Sequence, residues 1–344
     1  MIPTSQYRVS QLLVGTVTAL ACADAYSRRP WPSVEDSKRE GSKTYEETVS
    51  ERDRFILTRL ARSITIGSVS FASFVFLKGL SDFEIVHQEK FLDVFEGKEA
   101  KKIRPVLTVS NHQSIMDDPV LLANISPLKE TSYDTSRMRW GLCGEDICFK
   151  NPLLSTFFGA GKVLPINRSI HRDPGRKKGG GLEQIRLKVL CDKMTSGNWV
   201  HIFPEGFCCQ SNGVNKTNAG FTRPYMRWGV GKLIARSPSP PIIIPFYHDG
   251  MKEVFPQDDQ DALVSPFPRF GKRVLVYFGD RIEVQDLIDH FHSEGNTFSE
   301  NWEDPPTKAE QELYAAITGR IAETLFELER KSLLYRRGDQ VAEN

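Results

Sequence analysis

Five short apolar runs punctuate the chain from Ile103 onward: VLTVS (106–110), KVLPI (162–166), NWVHIF (198–203), PIIIPFY (241–247) and KRVLVYF (272–278). Runs of this length, rich in β-branched and aromatic residues, read as strands buried on both faces. Helix-like segments lie between them. LEQIRLKVLCDKMTSG puts Leu182, Ile185 and Val189 on one face and stops at Gly197, and YMRWGVGKLIAR follows the third strand. The order predicts an α/β fold: one domain, residues 81–337, with a central, mostly buried sheet flanked by helices. A chain of 344 residues is long enough for such a core.

The flanks of that domain differ. After Pro305-Pro306, the stretch Thr307 to Arg337 repeats Leu313, Ile317, Ile321, Leu325 and Leu328 among charges, so it predicts one long amphipathic helix. At the other end, residues 1–30 have no acid before Asp24 and carry Arg8, Arg28 and Arg29 around VSQLLVGTVTALACA. A mitochondrial presequence has this composition, and a secretory signal with Ala21-Cys22-Ala23 as its cleavage site fits equally. Residues 31–52 form a polar linker. Within 53–80, SITIGSVSFASFVFL (Ser63 to Leu77) is fifteen uncharged residues between Arg62 and Lys78. As a helix that run is roughly 22 Å long, short of a bilayer core of about 30 Å. It reads as an interfacial or re-entrant membrane anchor or as a buried core helix, and Phe74 and Phe76 are the residues whose replacement distinguishes the two.

The formal net charge of +1 leaves no broad basic face for nucleic acid. Six cysteines form no CxxC pair and no zinc-finger spacing with histidine, so scattered reduced thiols are expected, with neither a metal site nor a disulfide framework.

The densest chemistry is in SNHQSIMDDP, Ser110 to Pro119, where a strand ends. Asp118 before Pro119 reads as a helix N-cap followed by proline at the first helical position. That leaves Asp117 to face His112. A histidine whose second nitrogen donates to a carboxylate is held in one tautomer, ready to take a proton from a hydroxyl. A metal site built from His112, Asp117 and Asp118 is the weaker reading. Downstream, GKVLPINR ends with Arg168, a bidentate anion donor, and IFPEG (Phe203, Pro204, Glu205, Gly206) ends another strand in a turn that can approach an anion. PIIIPFYHDG then passes from strand into a loop carrying His248 and Asp249. In open α/β sheets ligands gather at the carboxyl ends of strands, where all these groups are expected.

NHQSIMDDP, GKVLPINR, FPEG and PIIIP stand in the order and spacing of the four blocks of the glycerolipid acyltransferase superfamily, and the chain resembles its tafazzin branch more closely still. The resemblance rests on DICF (146–149), GNWVHIFPEG, RWGVGKLIA, PIIIPFYHDGMKEVFP and PRFGKRV, and covers roughly residues 55–330. It implies a transacylase that remodels cardiolipin without CoA, cofactor or metal, with monolysocardiolipin as acceptor and a phospholipid such as phosphatidylcholine as donor. His112 is then the general base and Asp117 its orienting carboxylate. Arg168 and Phe203, Pro204, Glu205 and Gly206 hold the glycerol phosphate, while Glu205 either binds a lipid hydroxyl or braces the turn. Ser114 as acyl-accepting nucleophile ranks low. Two departures stand out. Phe207-Cys208-Cys209 follow FPEG directly, and QSNGVNKTNAGFTRP delays the RWG segment, which makes Lys216, Arg223 and Arg227 further candidates for the phosphate cation. The rivals are an acyl-CoA-dependent lysophosphatidate acyltransferase and a catalytically silent lipid-binding protein. The implied place is a mitochondrial membrane surface facing the intermembrane space, and the sequons at Asn124, Asn167 and Asn215 are read as chance matches.

Overall fold

Seven strands organise the computed structural model: β1 (Asp82–Val86), β2 (Val106–Ser110), β3 (Gly141–Gly144), β4 (Val163–Ile166), β5 (Trp199–Ile202), β6 (Ile242–Asp249) and β7 (Arg273–Phe278). It describes residues 56–96, 104–125, 135, 138–167, 181–208, 210, 226–258, 262–265 and 267–338. The segments read as presequence and linker, together with Arg168, Cys209, Lys216 and Arg223, lie outside the described residues. Five strands make the central sheet in the order β1-β7-β6-β2-β5. β2 runs parallel to β5 and β6, whereas β7 is antiparallel to β6 and parallel to β1. The carboxyl ends of β2, β5 and β6 therefore share one pole with the amino ends of β1 and β7. The run KVLPI does not join this sheet: β4 pairs only with β3, in a separate two-stranded sheet.

Side-chain alternation splits the core in two, as period-2 geometry requires. Leu107, Val109, Val200 and Ile243 enter the cluster beneath the C-terminal helix. Val106, Trp199, Ile244, Phe246 and Val276 enter the opposite one. Helices cover both faces: α1 (Ile56–Leu80), α2 (Glu89–Glu96), α3 (Leu122–Ile125), α4 (Glu145–Cys148), α5 (Pro152–Ala160), α6 (Ile185–Thr195), α7 (Gly229–Ala235), α8 (Met251–Val254), α9 (Gln285–Ser293) and α10 (Lys308–Arg337). Leu182, the expected helix start, lies in the turn before α6, which begins about one helical turn later at Ile185.

The two long helices have opposite polarity. α10 starts on a capping box, Thr307 with Glu310, and buries Leu313, Ile317, Ile321, Leu325 and Leu328. Gly231 of α7 lets it approach closely, since a Cβ there would overlap the Tyr314 carbonyl oxygen. α1 is the reverse. Its buried positions, Thr58, Arg62, Ile66, Ser70, Ser73, Phe76 and Leu77, include four polar residues. Its exposed positions include Leu60, Phe71, Val75 and Leu80. Arg62 lies over the Trp140 ring at 5.0 Å. The helix has 25 residues, or about 37 Å, longer than the Ser63–Leu77 run predicts because flanking residues continue it. Phe76 is not an outward residue. It is buried against Phe255 with ring centroids 5.8 Å apart, so replacing it would damage the core.

Two other expectations are corrected. Cys143 and Cys148 are disulfide-bonded across the β3–α4 junction, with Cα atoms 6.1 Å apart, because α4 begins immediately after β3 and folds back on it. His248 and Asp249 are not in a loop: β6 extends through Asp249, paired with β7 as far as Leu275.

Candidate active site

β2 ends at Ser110, and the chain then turns through His112 into a wide helical turn, Asp117–Leu121, that leads into α3. Asn111 fixes the start of this turn. Its side-chain amide donates to His248 O at 2.9 Å, and its Oδ1 accepts from His248 N at 2.9 Å, so it bridges to β6 as a strand residue would. The turn brings His112 Nδ1 to 3.0 Å from Asp117 Oδ2. The same oxygen accepts from Gln113 N at 2.7 Å and Ser114 N at 2.8 Å. The carboxylate can only accept, so Nδ1 carries the proton and Nε2 of His112 presents a lone pair. The Asp117 side chain is wholly buried while that of His112 is 18% exposed, the arrangement a base that meets substrate needs.

A second imidazole stands on the other side of Asp117. His248 Nε2 lies 3.3 Å from Asp117 Oδ2 and 2.9 Å from Asn111 O. A carbonyl only accepts, so this nitrogen also carries a proton. Burial pushes the Asp117 carboxyl upward, but the charge of His248, the hydrogen bonds from both His112 and His248 and the charge of His112 outweigh it and hold the group well below the ordinary carboxylate range. For His248, burial favours the neutral ring and the Asp117 charge overrides it, so its pKa is raised. His201 is different: burial, with Arg139 next, takes its pKa well below the ordinary value, and its ring is a neutral packing element. Trp199 Nε1 donates to Thr108 Oγ1 at 2.8 Å, leaving the hydroxyl proton for His201 Nδ1 at 2.8 Å.

Asp118 is not a helix cap. The residue has the extended backbone of a cap position, φ −110° and ψ 111° before Pro119, but its side chain is engaged in an ion pair instead. Its carboxylate points away from His112 and pairs with Arg139, whose Nε lies 3.0 and 2.9 Å from the two oxygens. Arg139 is buried and also donates to Gly161 O at 2.9 Å; burial pushes its pKa down to about 10, so it is charged at neutral pH. His112, Asp117 and Asp118 therefore do not converge, which removes the metal-site alternative built from those three.

The FPEG turn lies against the same histidine. Phe203 stacks on the His112 ring, centroids 4.1 Å apart and planes 14° apart. Glu205 is buried and its Oε1 accepts from His112 N at 3.4 Å, the bracing geometry. Gly206 has φ +72°, a conformation that favours glycine, and its N–H closes the turn onto Phe203 O at 3.1 Å. Arg227 N donates to Pro204 O at 2.7 Å, and its Cγ would lie 3.0 Å from a Cβ on Gly206. Arg227 is thus a described cation packed against the turn, while Arg168 lies outside the described residues. Ser114 is fully buried, and its hydroxyl accepts from Met116 N at 3.3 Å. Asn124 is buried too and donates to Val120 O, so its sequon is inaccessible.

Sequence reasoning quoted His248 without giving it a role and missed Arg139. Strand parity was the available signal for the first: His248 follows Ile244 and Phe246 at period 2 on one side of β6. For Arg139 there was none, because its partner is 21 residues away across a tertiary contact.

A family model described as Acyltransferase matches residues 93–248, which span His112, Asp117, the FPEG turn and His248. The chain is 36% identical over 179 residues to the N-acylphosphatidylethanolamine synthase of Arabidopsis thaliana, covering 52% of this chain and 56% of that protein. It is 33% identical over 224 residues to the tafazzin of Drosophila melanogaster, covering 65% and 52%. With the tafazzin of Dictyostelium discoideum the identity is 30% over 224 residues, covering 63% and 69%. The chain thus spans about half the length of the first two relatives.

Proposed function

The chain belongs to the tafazzin family of acyltransferases, and from that premise we propose that it transfers a fatty acyl chain from a phospholipid to a lysophospholipid. The acceptor is monolysocardiolipin, the product cardiolipin, and phosphatidylcholine a donor. His112 Nε2 takes the proton of the acceptor's glycerol hydroxyl, and the alkoxide attacks the donor's ester carbonyl. The imidazolium, stabilised by Asp117, then protonates the departing glycerol oxygen. One ester is exchanged for a similar one, so the step is close to energy-neutral and needs no CoA thioester. Arg168, Arg227 and the FPEG turn hold the glycerol phosphate.

The observation that carries this reading is the 3.0 Å contact between His112 Nδ1 and Asp117 Oδ2, with Asp117 wholly buried and His112 reaching the surface. Mixing the purified protein with acyl-labelled phosphatidylcholine and monolysocardiolipin, without CoA, tests it. Label in cardiolipin is the expected result. Transfer only from acyl-CoA would favour the lysophosphatidate acyltransferase reading, and vesicle binding without transfer the silent one. The 36% identity to an N-acylphosphatidylethanolamine synthase favours one second reading, in which the acceptor is the amine of phosphatidylethanolamine. The same base would serve, and an alkali-stable N-acyl product when phosphatidylethanolamine is added to the assay as acceptor would distinguish it.

The proposed place is a mitochondrial membrane surface on the intermembrane-space side, with residues 1–30 as presequence and 53–80 as anchor. The Cys143–Cys148 disulfide supports an oxidising compartment. α1 is long and apolar enough to cross a bilayer from Thr58 to Leu80. Its polar side is nevertheless buried against the domain from Thr58 to Leu77, end to end. This supports a helix lying in the interface, because a crossing would take the adjoining turn and its Asp118–Arg139 pair into hydrocarbon.

A further inference from the structure

We propose that the segment carrying Val264, Phe267 and Phe270 is a second lipid-contacting element, which docks with α1 on a bilayer so that the catalytic pole faces the headgroup layer. This rests on the lipid-substrate reading above and adds how the site is presented to the membrane.

Phe267 is 75% exposed, Phe270 63% and Val264 56%, the first two being the most exposed large apolar residues described. They do not dangle. Arg269 N donates to Val254 O at 2.9 Å, Gly271 N to Leu80 O at 2.9 Å, and Val264 N to Pro256 O at 3.0 Å. The Phe270 ring lies 6.0 Å from that of Phe76 on α1. A segment tied down in this way holds its phenylalanines outward, at a cost in water that burial in lipid would reverse.

Topology sets the direction. The segment leads into the amino end of β7, and α1 leads into the amino end of β1. Both ends lie at the pole where β2, β5 and β6 deliver His112, the FPEG turn and His248. Phe71 and Val75 of α1 are outward too, and Ile115, 41% exposed, sits in the His112 turn itself. Beside it are exposed Lys78, Lys252 and Arg269 and partly exposed Lys272, with the carboxylates Asp82, Glu253 and Asp258 among the described residues. Apolar residues flanked by long cations fit a phospholipid surface, with ammonium and guanidinium groups at phosphate depth.

Three forms of the full chain test this on phosphatidylcholine vesicles containing phosphatidylglycerol: wild type, Phe267→Ser, and Phe71→Ser with Val75→Ser. Flotation should show Phe267→Ser partitioning about tenfold more weakly, with unchanged circular dichroism and thermal midpoint. A Phe267→Trp variant should gain fluorescence that shifts to the blue on vesicles and is quenched by brominated acyl chains. If the α1 variant loses binding while Phe267→Ser binds like wild type and the indole of the Phe267→Trp variant stays unquenched, the second contact is wrong and the anchor reading stands. If wild type does not float at all, the membrane reading fails and takes this one with it. If Phe267→Ser instead breaks a dimer and leaves vesicle binding intact, the surface is for self-association and the proposal is overturned.

Discussion

Asp117 and Asp118 are neighbours in sequence, but one turn of chain gives them opposite surroundings. Asp117 points inward between two imidazoles and two backbone N–H groups. Asp118 points to the far side and closes a buried ion pair with Arg139 from the stretch before β3. The first carboxylate is arranged to act on a ring that reaches the surface, the second to hold the turn in place. The lesson is that a doubled acid can divide chemistry from architecture. The division can be tested by separating loss of turnover from loss of stability.

The largest expected effect is at His112. His112→Ala should lower lipid transfer by about 10⁴-fold, the upper end for a general base, with the fold intact by circular dichroism and thermal melting. Asp117→Asn should come close, because a comparable change in a serine-protease triad costs about 10⁴ in turnover through the wrong tautomer. Transfer by either variant within tenfold of wild type would break the catalytic half of the comparison.

Asp118→Asn should act mainly on stability. It leaves Arg139 buried and charged with half a partner, a loss of about 3–5 kcal/mol where a buried pair is broken. The urea midpoint should fall, while the turnover of the folded fraction stays within a few-fold of wild type. Removing both charges, Asp118→Leu with Arg139→Met, should recover much of the midpoint. A stable Asp118→Asn with lost turnover would show that the two acids share one role.

His248→Gln should be smaller again. Glutamine can still donate toward Asp117 and Asn111 O, so transfer should drop by about tenfold, whereas His248→Phe should drop further. A structural role alone would leave the pH–rate profile unmoved; loss of the second imidazole should displace its acid limb.

The smallest effect is in the pH dependence of stability. Asp117 has a depressed folded pKa, so its contribution is present above the ordinary 3.8 and is lost as pH falls through the lower folded value. His248 has a raised one, so its contribution is complete below the ordinary 6.5 and is lost as pH rises through the folded value. Thermal midpoints should therefore crest between these limits, and Asp117→Asn should flatten the crest on both sides.

Much of this was written in the chain itself. β-branched runs bounded by turn residues located β2, β4, β5, β6 and β7, and the leucine and isoleucine repeat located α10, because burial enforces a period that survives in sequence. His112 and Asp117 were legible because the pair is local, five residues apart in a turn that nothing distant has to assemble. What depended on distant contacts was not legible. Asp118 before proline carries the signature of a cap, and only Arg139, 21 residues on, decides that it is an ion-pair partner. β4 looks like a core strand, but its pairing with β3 placed it outside the central sheet. Cys143 and Cys148 have no disulfide spacing until α4 folds back on β3. For α1 the composition told that the helix is apolar and not which side faces the domain, since hydropathy is a property of residues and facing is a property of contacts. Arg62 turns inward onto the Trp140 face, and Ser70 and Ser73 turn inward with it although the Ser70 hydroxyl is buried without a hydrogen-bond partner, while Phe71 and Val75 are left to meet another solvent.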